Sequence, residues 1–193
     1  PPERLRAEYA AARADTEAAL TADPSDAQAR VIRAAVLCAQ VGLGAAPATA
    51  LEDALAELDR VVAAGGEDAE VRRLHGVCHR RRGQAMAQAG GDPGEEYERA
   101  LAELDRALEL DAGYASALQD RGCVRMLRSQ VRPGAAALAE LDGAIEDLTR
   151  ALERAPGSAD ALAARSQAWL QRAAFSAASG QDAAATGRRG QPS

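Results

Sequence analysis

Ala100-Leu-Ala-Glu-Leu-Asp-Arg-Ala-Leu-Glu-Leu-Asp-Ala-Gly-Tyr114 is the stretch that decides the fold of this chain. Its apolar residues fall at Ala100, Leu101, Leu104, Ala107 and Leu108, with Glu103, Asp105, Arg106 and Glu109 between them. Spacing of three and four marks a helix with one buried stripe. The same pattern returns 44 residues later as Ala144-Ile-Glu-Asp-Leu-Thr-Arg-Ala-Leu-Glu-Arg-Ala-Pro156. It stands 46 residues earlier as Ala54-Leu-Ala-Glu-Leu-Asp-Arg-Val-Val62, and a fainter copy, Ala12 to Pro24, lies another 42 residues back. Self-similarity at a period of this size means stacked supersecondary units, each unable to bury its apolar stripe alone.

Composition agrees and removes many alternatives. Apolar residues make up 47% of the chain but aromatics only 3%, so Ala and Leu carry the burial. With Glu and Arg between them, this composition predicts an all-α protein with close helix contacts. All 23 basic residues are Arg, and Lys and Asn are absent. Without Lys there is no phosphate-loop lysine, no kinase strand lysine and no pyridoxal Schiff base; without Asn there is no Cys-His-Asn triad. No G-x-S-x-G turn holds a nucleophile either. The expectation is therefore a non-enzymatic protein without a cofactor. A net charge of −6 argues against a nucleic-acid partner. No apolar run approaches the length of a membrane span, and no charged-then-apolar leader opens the chain. It begins Pro1-Pro2 rather than with Met, which reads as a processed or excised piece. Cys38, Cys78 and Cys123 are an odd set without a C-x-x-C pair, read as small buried residues in a reduced cytoplasm.

Breaks at Asp23-Pro24, Gly42 to Pro47, Gly65-Gly66, Gly90 to Gly94, Arg132-Pro-Gly134 and Pro156-Gly157 divide the chain into about eight helices. Ser25-Asp26 and Glu67-Asp68 supply caps and first-turn carboxylates, and Pro47 is expected in the first turn of the helix that follows it. The predicted hairpins cover 27–64, 68–110 and 113–154, flanked by helices 3–22 and 158–178. Residues 1–180 form one repeat domain in this reading, and 181–193 a polar tail, with room for a short helix at 181–186. Short loops force neighbouring helices antiparallel, so the expected architecture is an α-solenoid.

These residues resemble tetratricopeptide repeats. Ala-Leu-Glu-Leu-Asp (107–111), Ala-Leu-Glu-Arg-Ala-Pro (151–156) and Ala-Leu-Thr-Ala-Asp-Pro (19–24) look like the family's end of a second helix. Asp120-Arg121-Gly122, Leu74-His75-Gly76, Ala164-Arg165-Ser166 and Arg33-Ala34 fall where the family places a small residue for close helix contact. The family period is about 34 residues, so both helices of each hairpin are read as extended. Sel1-like repeats also run long but lack the Ala-Leu-Glu-Leu-Asp ending.

The resemblance implies a scaffold whose first helices line a concave groove for a protein or peptide. The family's groove-facing places fall on Val31, Ala35 and Cys38; on Arg73, Val77 and Arg80; on Gln119, Cys123 and Met126; and on Ala163, Gln167 and Leu170. That mixed surface suits an amphipathic or extended segment. A carboxylate clamp for acidic tails needs Lys and Asn, which the chain lacks. The open ends of a solenoid leave room for a second copy. An alternative context is a regulatory module of a larger bacterial signalling protein. A different alternative rests on Arg72 to Arg82, a basic helix that reads as an anion or metal receptor. Its bland counterpart is that these Arg pair with Glu57, Asp59, Glu95, Glu96, Glu98 and Glu103. His75 and His79 have ligand spacing but no third ligand is identifiable. Trp169 and Phe175 are expected to plug the end of the stack.

Overall fold

A computed structural model describes the backbone of residues 2–188 and the side chains of residues 3–178. Among the described residues there are eight helices and no strand. They are α1 (Pro2–Ala22), α2 (Ala27–Gly42), α3 (Ala50–Ala63), α4 (Ala69–Gln88), α5 (Gly94–Leu110), α6 (Ala115–Ser129), α7 (Gly134–Arg154) and α8 (Ala159–Arg188). Two compact units account for them: Pro1–Ala112 with α1 to α5, and Gly113–Ser193 with α6 to α8. The sequence reading placed both in one repeat domain. No helix among the described residues is long and apolar enough to cross a membrane.

Local signals act where they were expected. Asp26 and Asp68 accept hydrogen bonds from the amides of Ala29 and Val71, satisfying donors that a helix start leaves open. At the end of α3 the amide of Gly66 bonds to the carbonyl of Val61, and that of Gly65 to Val62. Gly65 holds φ 84° there, a left-handed conformation that closes the helix with a Schellman turn. Two boundaries differ. Pro47 sits before the helix, its carbonyl accepting from the amide of Ala50, because the chain first makes a short turn through Ala48 and Thr49. α8 runs through Gly180 to Arg188, since Gln181 to Thr186 are mostly good helix formers. Residues 189–193 of the expected tail lie outside the described residues.

In unit 1, α2 pairs with α3 and α4 with α5; in unit 2, α6 pairs with α7. The repeated stretch forms the buried stripe of each second helix. Leu51, Ala54 and Leu58 on α3, Ala100 and Leu104 on α5, and Leu141, Ala144 and Leu148 on α7 have no exposed surface. Gly76 and Gly122 are where the first helices touch these stripes. A Cβ on Gly76 would lie 2.7 Å from Cγ of Leu104, and one on Gly122 would lie 2.8 Å from Cγ of Leu148. The small residues anticipated at both positions are what lets the two backbones approach. Phe175 packs on the core of unit 2 beside Met126 and Ile145, as an aromatic plug would, whereas Trp169 is 52% exposed.

Candidate protein-binding surface

Each hairpin is crossed by a seam of ion pairs built on one repeated position. Glu57, Glu103 and Asp147 are the fourth residues of the three matching stretches, and each turns toward Arg on its first helix. Glu57, with a side chain 5% exposed, accepts from Arg30, Arg33 and Arg60. Burial opposes its ionisation, but hydrogen bonds from Arg30 and Arg60 more than offset this and hold the carboxyl below its ordinary value. Glu103 meets Arg72 at 2.9 Å. Asp147 takes a fork from Arg121 at 2.9 and 2.5 Å and a further contact from Arg125 at 3.1 Å. Glu140 pairs with Arg128 in the same hairpin. The sequence signal for this seam existed, in the recurrence of an acid at one register, but partner choice needs the helices side by side.

Several side chains of the basic helix are paired with nearby carboxylates. Arg72 bridges Glu67 and Glu103, Arg73 pairs with Glu70, and Arg82 lies 3.4 Å from Glu96. His79 Nδ1 is 2.9 Å from Glu96, while Nε2 of His75 is buried without a hydrogen-bond partner, 3.8 Å from Asp59. Desolvation dominates at His75 and lowers its pKa despite the pull of Glu103 and Asp59. Among the described residues no cluster of three metal-ligating side chains occurs. Arg72, Arg73, Arg82 and His79 are thus compensated by carboxylates of this chain.

The groove positions separate by burial. Cys38, Val77 and Met126 are core residues, 4%, 9% and 8% exposed. Val31, Ala35, Arg73, Arg80, Gln119 and Cys123 are half-buried, and Ala163, Gln167 and Leu170 are exposed. In unit 1, α2 packs directly against α4, whereas the backbones of α3 and α5 do not approach each other so closely. In unit 2 α6 likewise packs against α8. At the C-terminal ends of α2 and α4 a cavity of about 250 Å³ is lined by Val41, Gly42, Gly44, Arg81, Gln84, Ala85 and Gln88. A groove of about 340 Å³ between α1 and α2 is lined mainly by Ala12, Thr16, Ala19, Ala29 and Ile32, with acids at Asp15 and Asp26. Neither cavity was foreseen, because each depends on which helix ends meet.

No family model and no curated protein matches the sequence. Among solved structures the chain is similar to a crystal structure of MamA, at 20% identity and a TM-score of 0.54, over 89% of this chain and 82% of that one. A second MamA crystal structure matches at 21% identity and a TM-score of 0.53, over 90% and 80% of the two chains. Likeness at this identity speaks to backbone arrangement, and it agrees with the hairpins, close-contact glycines and repeated stripes described above. The fold of this chain is that of a tetratricopeptide-like helical-repeat protein.

Proposed function

We propose that this chain is a protein-interaction scaffold whose first helices receive a peptide or an extended protein segment. The observation that carries the reading is the direct packing of α2 on α4, closer than any approach of the α3 and α5 backbones. In this reading the first helices form the inner face of unit 1, with half-buried Val31 and Ala35 and the basic groups Arg73 and Arg80. Repeat arrays of this kind bind through extended fit along such a face and need no reactive group. Mixed apolar, amide and cationic side chains suit an amphipathic segment carrying some acidic residues.

Affinity capture from the source lysate, with wild type compared against Arg73→Glu/Arg80→Glu, tests this. A partner enriched by wild type should bind the double variant about tenfold or more weakly when remeasured with purified proteins. The variant must retain wild-type circular dichroism. An unchanged partner set with unchanged affinity would place binding elsewhere on the molecule.

A further inference from the structure

Two thiols that the sequence keeps far apart meet inside unit 1. Cys38 on α2 and Cys78 on α4 are both free, both buried and members of one apolar cluster with Leu37, Leu74 and Val77. α2 and α4 pack against each other, which sets Cys38 and Cys78 side by side in the one apolar cluster that these helices share. The guanidinium of Arg81, one turn beyond Cys78, lies over the backbone of Gly42, one turn beyond Cys38. Its Nε is buried without a hydrogen-bond partner. The same arginine lines the 250 Å³ cavity at these helix ends, one turn beyond the two thiols.

We propose that Cys38 and Cys78 form an oxidant-responsive dithiol, which a hydroperoxide entering by the Arg81 cavity converts to a disulfide tying α2 to α4. In the first step the Cys38 thiolate attacks a peroxide oxygen; the O–O bond breaks and leaves as alkoxide, which takes up a proton. Cys38 is then a sulfenic acid. In the second step the Cys78 sulfur attacks the Cys38 sulfur, the S–O bond breaks and hydroxide leaves as water. Two thiols have each lost one proton and one electron, and the peroxide has gained both pairs.

The surroundings sort the roles. The neighbouring Cys78 thiol, with Arg81 and Arg80, favours the thiolate of Cys38 against the opposing effect of burial. Cys38 is also 4% exposed against 0% for Cys78, and it lies one turn from Gly42 beneath the Arg81 guanidinium, so it is assigned the attack and Cys78 the resolving role. Cys123 on α6 lies in unit 2 and provides an internal control.

The test uses the full chain treated with hydrogen peroxide, then iodoacetamide, trypsin and peptide mapping without reductant. The expected product has the Cys38 and Cys78 peptides linked, the pair about 2 Da lighter than its two thiol peptides together, and Cys123 alkylated. The same treatment in urea should scatter linkage among all three cysteines. Arg81→Ala should slow linkage about tenfold through loss of thiolate. Linkage through Cys123, linkage between chains, or folded protein that keeps both thiols alkylatable would overturn the proposal. An unchanged rate in Arg81→Ala would overturn the role given to that arginine.

Discussion

A methyl group added at Gly76 would lie 2.7 Å from Cγ of Leu104 and 3.1 Å from the carbonyl oxygen of Ala100. Leu104 is wholly buried, and the carbonyl belongs to the opposing helix backbone, so neither has open space to move into. In a solvent-facing helix the same change would stabilise, since Ala outranks Gly by about 1 kcal/mol in helix propensity. Overpacking a filled interface costs about 1–3 kcal/mol, so the steric effect wins here. Gly76→Ala should destabilise by about 1–2 kcal/mol in urea unfolding. Gly157→Ala is the companion measurement: a Cβ there meets nothing within 4 Å, and its midpoint should hardly move. Equal effects at the two positions would show that backbone approach at Gly76 is not what holds α4 to α5.

Between elements, the carboxylates set an acid limit on the fold. Hydrogen bonds from Arg106 lower Glu67 to about 2 against some desolvation, with Arg72 adding to the effect. Glu57 is also lowered, burial notwithstanding, by Arg30 and Arg60. A carboxyl with a depressed folded pKa is protonated first in the unfolded chain, so unfolding takes up protons as acid is added. The stabilisation is complete above the ordinary carboxyl value of 4.5 and is lost as pH falls from there toward about 2. Denaturation midpoints measured from pH 7 to pH 2.5 should fall below pH 4.5, and Glu67→Gln should flatten that slope. At neutral pH Glu57→Ala should cost about 3 kcal/mol, because Arg30 and Arg33 are left half-buried without their carboxylate. A slope unchanged by Glu67→Gln would mean the α4–α5 ion pairs do not distinguish folded from unfolded chain.

At the scale of the whole molecule, what could be read in advance is what the chain repeats locally. Leu101, Leu104 and Leu108 announced the buried stripe of α5, and Gly76 and Gly122 announced close contact, because both signals sit within one turn of helix. Pairings such as Arg121 with Asp147 were not legible, since they arise only when separate helices are laid together. The burial of Val77 and Met126 was missed for the same reason: a family position fixes the helix face but not how closely the neighbouring helix covers it. The division at Ala112 carries a consequence that can be measured. Within 1–112 lie Leu37, Leu51, Leu58, Val71 and Leu104, together with the seams of Glu57 and Glu103. Stability of a repeat array is a sum over units and their nearest neighbours, so two hairpins and a flanking helix already own their interfaces. Residues 1–112 produced alone should give a helical circular dichroism spectrum and one cooperative thermal transition. In that fragment Glu57→Ala should lower Tm by about 12–24 °C, from about 3 kcal/mol at 4–8 °C per kcal/mol. Residues 113–193 have a smaller core around Leu141 and Leu148 and should melt at lower temperature. A coil-like spectrum for 1–112 would show that its hairpins need the remaining helices in order to fold.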